Sequence, residues 1–222
     1  MRIGIDAGAG SEKAECTADI LVSMGGTMVR GRVIARLRKV CAAAASAQKL
    51  GADAQVIAST YLRPSPTLTD NVAWPEICAL SRMVLALSFN PASALDAQLF
   101  LPELCHIITV MLGSGPLLVR QTVYGIAVNL LQSLSSSRST GEMDTTNLQR
   151  LWKTLQGKEM IRCFGLAING TSFELVKIEE DKLLGNVEEV TKFLGEVVVS
   201  AAVSIGEPSG PRAVMLSVRA RS

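Results

Sequence analysis

His106 stands beside Cys105 in the run LPELCHIITVM, and it is the single histidine of the chain. An imidazole next to a thiol has the raw chemistry for a metal ligand pair or an activated nucleophile, but either role needs further ligands or an orienting base. No second histidine and no local Asp/Glu cluster accompany it, so the spacing points to a core or groove histidine. The five cysteines, Cys16, Cys41, Cys78, Cys105 and Cys163, are odd in number and form no CxxC pair. Four of them fall inside apolar helical patterns, where they read as small buried hydrophobes in a reducing compartment. No metal and no cofactor are expected.

Two glycine-rich stretches invite a phosphate-binding reading. Gly4, Gly8 and Gly10 follow only three residues, too few for a buried strand, and their spacing is not the dinucleotide fingerprint. Gly113-Ser114-Gly115-Pro116 precedes a helix, where an anion could be held, but a tight inter-helix turn accounts for it. A small enzyme built on that turn is the weakest reading of the chain. The stronger candidate is the basic cluster Arg30, Arg32, Arg36, Arg38 and Lys39. It suits anionic lipid headgroups or an acidic protein surface, although a solvated helix face is the plainer reading. Aromatic residues do not interleave it, which argues against nucleic acid. Glu188, Glu189 and Lys192 read as ordinary helix-surface pairing.

Helices must position these residues. From Ser11 to Met24 and from about Thr27 into an alanine stretch, two helices form a hairpin across Gly25-Gly26. In the second, Val33, Leu37 and Val40 make one stripe and Arg32, Arg36 and Lys39 another. Residues 42–66 read as a helix extension and an irregular insertion ending in Pro64 and Pro66. The run from Trp74 to Ser135 then carries three apolar helices: from Trp74-Pro75 to Asn90-Pro91, from Leu101 to Met111, and from Pro116 to Leu134. Pro75 suits the first turn of a helix. Further helices are expected at Thr146–Leu155, Met160–Ile168 and Asn186–Val203. Segment 171–180 alternates weakly enough to pass for a strand, and Val197-Val198-Val199 raises local β propensity.

Hydrophobic residues make up 48% of the chain against 19% charged, with a mean hydropathy of +0.31 and a net charge of +2. Such a composition suits a membrane protein or a slice of a larger assembly. The best window for a span, 116–134, holds Arg120, Gln121, Asn129 and Gln132, so a span is rejected. The first residues lack the apolar stretch of a signal peptide. The expected location is cytoplasmic, with peripheral association at membranes.

Several blocks resemble the neurofibromin family of Ras GTPase-activating proteins, including its fungal members. They are SPTLTDNVAW, ALSFN, LPELCHIIT and GSGPLLVRQTVYGIAVNLLQSL, with weaker likeness at FGLA and VEEVTKFLGEVV. The likeness covers roughly residues 14–200 and falls in the helical-repeat region C-terminal to that family's GAP and Sec14–PH modules. It implies an all-α HEAT/armadillo-like solenoid of stacked antiparallel helices, about three layers deep, spanning 11–205 between disordered ends at 1–10 and 206–222. The alanine-rich insertion is longer than the family needs, and the chain stops where a further repeat is expected, so a fragment is implied.

The GAP module works through an arginine finger, and nothing here resembles it; no catalytic residue is carried over. The implied role is a non-catalytic scaffold of a negative regulator of Ras signalling. Its partners would be flanking repeats, a second copy through self-association, and Ras only indirectly. Trp74 and Tyr124 are expected to pack between layers or touch a partner. The alternative is an independent helical adaptor docking through its basic helix on acidic protein or anionic membrane.

Overall fold

The computed structural model describes residues 12–23, 26–49, 74–88, 101–137 and 142–205. The two expected disordered ends, the insertion beyond Lys49 and the Asn90-Pro91 terminator lie outside the described residues. In chain order the elements are α1 (Glu12–Ser23), α2 (Gly26–Lys49), α3 (Trp74–Leu87), α4 (Leu101–Met111), α5 (Leu117–Ser137), α6 (Glu142–Leu155), α7 (Lys158–Cys163), β1 (Leu166–Asn169), β2 (Ser172–Leu175) and α8 (Glu180–Ile205). The architecture is all-α with one small hairpin.

α1 and α2 both pack on α3, α3 and α4 pack on α5, and α5 packs on α6 and the hairpin. α8 covers α7 and α6 and reaches back to α4. One continuous apolar core therefore runs from Val33 of α2 to Ala201 of α8. α5 is apolar on several faces because it has a neighbour on each of them. Val119, Val123, Ile126, Leu130 and Leu134 are buried as their spacing requires, and Ala127 and Leu131 are buried beside them. In α4 the buried stripe includes Ile107, while Cys105 lies only partly covered.

α5 runs on to Ser137 and α6 begins at Glu142, ahead of the expected Thr146, and two larger departures follow. The helix expected over Met160–Ile168 ends at Cys163, and Leu166–Asn169 forms a strand paired antiparallel with Ser172–Leu175. Gly165, at φ +70°, turns the chain there, and its N–H donates to the Arg162 carbonyl at 2.8 Å. A residue with a side chain is disfavoured in that left-handed conformation. The last helix begins at Glu180 rather than Asn186, and the valine run stays helical inside it. Phe164 and Leu166, fully buried, anchor the turn and hairpin to the core.

Candidate interaction surfaces

The basic cluster on α2 does not form one surface. Arg30 is only 3% exposed; it sits three, four and seven residues before Val33, Ile34 and Leu37 and so falls on their buried stripe. Its expected role as an anionic-surface contact is therefore corrected. Arg36 is engaged with α3: its Nη2 lies 2.6 Å from Glu76 Oε1, and its Nε donates to the same oxygen at 2.8 Å. Arg32, Arg38 and Lys39 remain exposed, and among the described residues none of the three has a carboxylate partner.

His106 faces the same helix. It lines a shallow dent, of about 10 Å³, with Leu37, Arg38, Cys41 and Met111. Partial burial, and then the nearby Arg38 charge, hold the imidazole pKa below its ordinary value, which favours the neutral form. The Cys41 thiol donates to Met111 Sδ at 3.3 Å, and burial pushes its pKa up to about 12. Burial likewise raises Cys78 and Cys105 to about 11. These protonated thiols are poor nucleophiles and poor metal ligands. Among the described residues no group of three or more His, Cys, Asp or Glu could hold a metal ion.

The Gly113–Pro116 turn is not an anion cradle. Ser114 and Gly115 are buried, and the space over Gly115 is filled by the Trp74 ring. Gly115 has φ +76°, and a Cβ added there would lie 2.6 Å from two ring carbons of Trp74. The Pro116 carbonyl accepts from the N–H groups of Val119 and Arg120 and so begins α5.

Four residues on, Arg120 is 4% exposed. Its Nε donates to the Gly115 carbonyl at 3.0 Å, and its Nη1 to the carbonyls of Gly165 (3.3 Å) and Val176 (2.9 Å). One guanidinium thus ties together the α4–α5 turn, the α7–β1 turn and the exit of β2. Desolvation pulls its pKa down, and the carbonyl oxygens offset part of that cost.

Tyr124 and Asn129 act in the same way. The Tyr124 hydroxyl donates to the Leu155 carbonyl at the end of α6, and its ring meets Phe164 and Phe173 edge-on, with centroids 5.3 and 5.6 Å apart. Asn129 Nδ2 donates to the Leu85 carbonyl at 3.0 Å and to Ser88 Oγ at 2.8 Å, while Ser88 Oγ donates to Leu85. These bonds add to the one from the Ser88 N–H (3.2 Å) at a carbonyl in the last turn of α3. Trp74 and Tyr124 are interior packing residues.

A second charged surface escaped the spacing argument, because its residues come from α6, α7, β2 and α8. An open groove of about 860 Å³ runs past Lys153, Lys158, Val176, Lys177 and Lys182. The expected pairing of Glu188 or Glu189 with Lys192 is not formed. Arg150 instead pairs with Glu196 at 2.7 Å across α6 and α8, and Lys182 with Glu179 at 2.6 Å. Glu189 lies near Cys163, whose thiol pKa is raised by burial first and then by the Glu189 and Glu159 charges.

No helix among the described residues is long and apolar enough to cross a membrane. No family model matches the chain. Over 88 residues, 40% of its length, the chain is 26% identical to Inhibitory regulator protein IRA1 of Saccharomyces cerevisiae. It spans 3% of the length of that protein. The chain is thus distantly similar to a segment of a much larger inhibitory regulator.

Proposed function

We propose that this chain is a non-catalytic helical-repeat segment of a neurofibromin-like negative regulator of Ras signalling, acting in the cytoplasm. The observation that carries the reading is the likeness to a short stretch of a large inhibitory regulator, joined to the interior placement of the polar residues through which the sequence resembles that family. Arg120, Tyr124 and Asn129 spend their hydrogen bonds on backbone carbonyls of neighbouring elements. Residues used in this way maintain the spacing of helices, which is the task of a scaffold. Flanking repeats and a second copy are the partners of such a segment, Ras is reached only through a separate GAP module, and the segment itself does not accelerate GTP hydrolysis.

A chimaera tests this reading. The stretch of the yeast regulator that aligns with this chain is deleted, or replaced by the aligned residues of this chain, and Ras-bound GTP is measured in cells. Deletion is expected to raise Ras-GTP and replacement to lower it again. A replacement as defective as the deletion, at equal protein level, would overturn the reading.

The exposed Arg32, Arg38 and Lys39 support the second reading, an adaptor docking on an acidic protein or anionic membrane. Pelleting with anionic liposomes tests the membrane arm: binding abolished by Arg32→Glu/Lys39→Glu would favour it, and unchanged pelleting would leave the row a solvated face.

A further inference from the structure

We infer that the groove between α6, α7, the β2 exit and the start of α8 is a docking site for an acidic, extended segment of a partner protein. The inference is independent of the family reading, because it rests on how this groove is charged and shaped.

Five cations line the groove against three carboxylates. Two of the cations are already matched on their own elements, Arg162 with Glu159 at 3.6 Å and Lys182 with Glu179 at 2.6 Å. Lys153, Lys158 and Lys177 are exposed and have no carboxylate partner among the described residues. They come from α6, α7 and the connection between β2 and α8 and border one concavity, so their fields add over the same volume. Glu189 is the one groove carboxylate without a cation partner among the described residues, and the balance in the groove stays positive.

The shape selects among anions. A half-open concavity of about 860 Å³ admits a strand-like chain rather than a planar bilayer. A membrane-binding face presents protruding apolar and basic side chains together, whereas this groove interleaves carboxylates with its lysines. Its lining contains no aromatic residue, so it lacks the stacking platform that single-stranded nucleic acid uses. Between the lysines the wall carries Ala167 and Val176, partly exposed, which gives an apolar side chain of the occupant a place to rest. Aspartate and glutamate flanking a small apolar residue is the complementary chemistry.

The test uses the full chain and a fluorescein-labelled decapeptide of Asp and Glu with one central Leu, followed by fluorescence anisotropy. Lys158→Glu is compared with Lys13→Glu, which makes the same change in net charge on an exposed residue of α1. The groove variant is expected to bind about fivefold or more weakly and the α1 variant within about twofold of wild type, with Lys158→Glu/Lys177→Glu weaker still and binding falling steeply as salt is raised. Lys158→Gln/Lys177→Gln provides a milder version should the reversal disturb folding, with helical melting followed by circular dichroism. Equal weakening by both surface variants, or no peptide binding by the wild-type chain, would overturn the inference. So would groove-dependent pelleting with phosphatidylserine vesicles in place of peptide binding.

Discussion

Arg120 of α5 and Arg36 of α2 are the same residue type on neighbouring parts of one fold, and they do opposite things. Arg120 is buried and gives its donors to three carbonyls from three turns. Arg36 is half-exposed and gives its donors to one carboxylate on the next helix. A buried guanidinium whose acceptors are backbone cannot leave without stripping each of a hydrogen bond away from water, whereas a surface ion pair can be replaced by water at little cost. The family-like GPLLVR…YG…N pattern is therefore recognisable because its polar members are committed to the interior. The basic row of α2 carries no such constraint.

The comparison can be broken first at Arg120. Arg120→Met leaves the carbonyls of Gly115, Gly165 and Val176 without this donor and is expected to cost about 3 kcal/mol or more in urea unfolding. Next comes Gly115→Ala, which forces a side chain into a left-handed conformation against the Trp74 ring. A loss of about 2 kcal/mol is expected, with a red shift in tryptophan emission as Trp74 is pushed toward water. Tyr124→Phe keeps the edge-on ring contacts and removes only the bond to Leu155; about 1 kcal/mol is expected. Arg36→Ala, at the exposed end of the comparison, is expected to cost under about 1 kcal/mol, and less as salt is raised. Costs for Arg36 as large as those for Arg120 would erase the distinction.

The smallest effect concerns His106. Its folded pKa lies below the ordinary value of 6.5, so the unfolded chain binds the proton more tightly. Stability is then full above the unfolded pKa and falls as the pH drops through 6.5 toward the folded pKa. His106→Gln is expected to flatten this part of the pH profile relative to wild type. Urea midpoints measured between pH 5 and pH 7.5 check it, and a variant with an unchanged profile would show that burial and the Arg38 charge do not perturb His106.

The helices were legible in the sequence because their apolar stripes repeat at helical spacing and Pro or Gly marks the junctions. The second strand was half legible, since it falls in the weakly alternating segment 171–180, but the first was not, because it has only four residues and FGLAI reads as a short apolar helix. What decides it is tertiary: Phe173 and Phe164 both meet Tyr124, a contact that no local pattern encodes. Arg30 shows the opposite case. Its position on the Val33–Leu37 stripe was available from spacing alone, but proximity in sequence grouped it with its basic neighbours. The groove at Lys153, Lys158 and Lys177 stayed hidden because α6, α7, α8 and the connection after β2 all contribute to it and none is strongly basic by itself.

The most direct test of the central claim is hydrogen–deuterium exchange on Arg120→Lys. Lysine keeps the charge but lacks the fork that reaches separate carbonyls. If Arg120 is the tie between turns, protection should fall together at 112–116, 163–166 and 175–178, while α2 exchanges as in wild type. A loss confined to one turn, or none at all, would contradict the account.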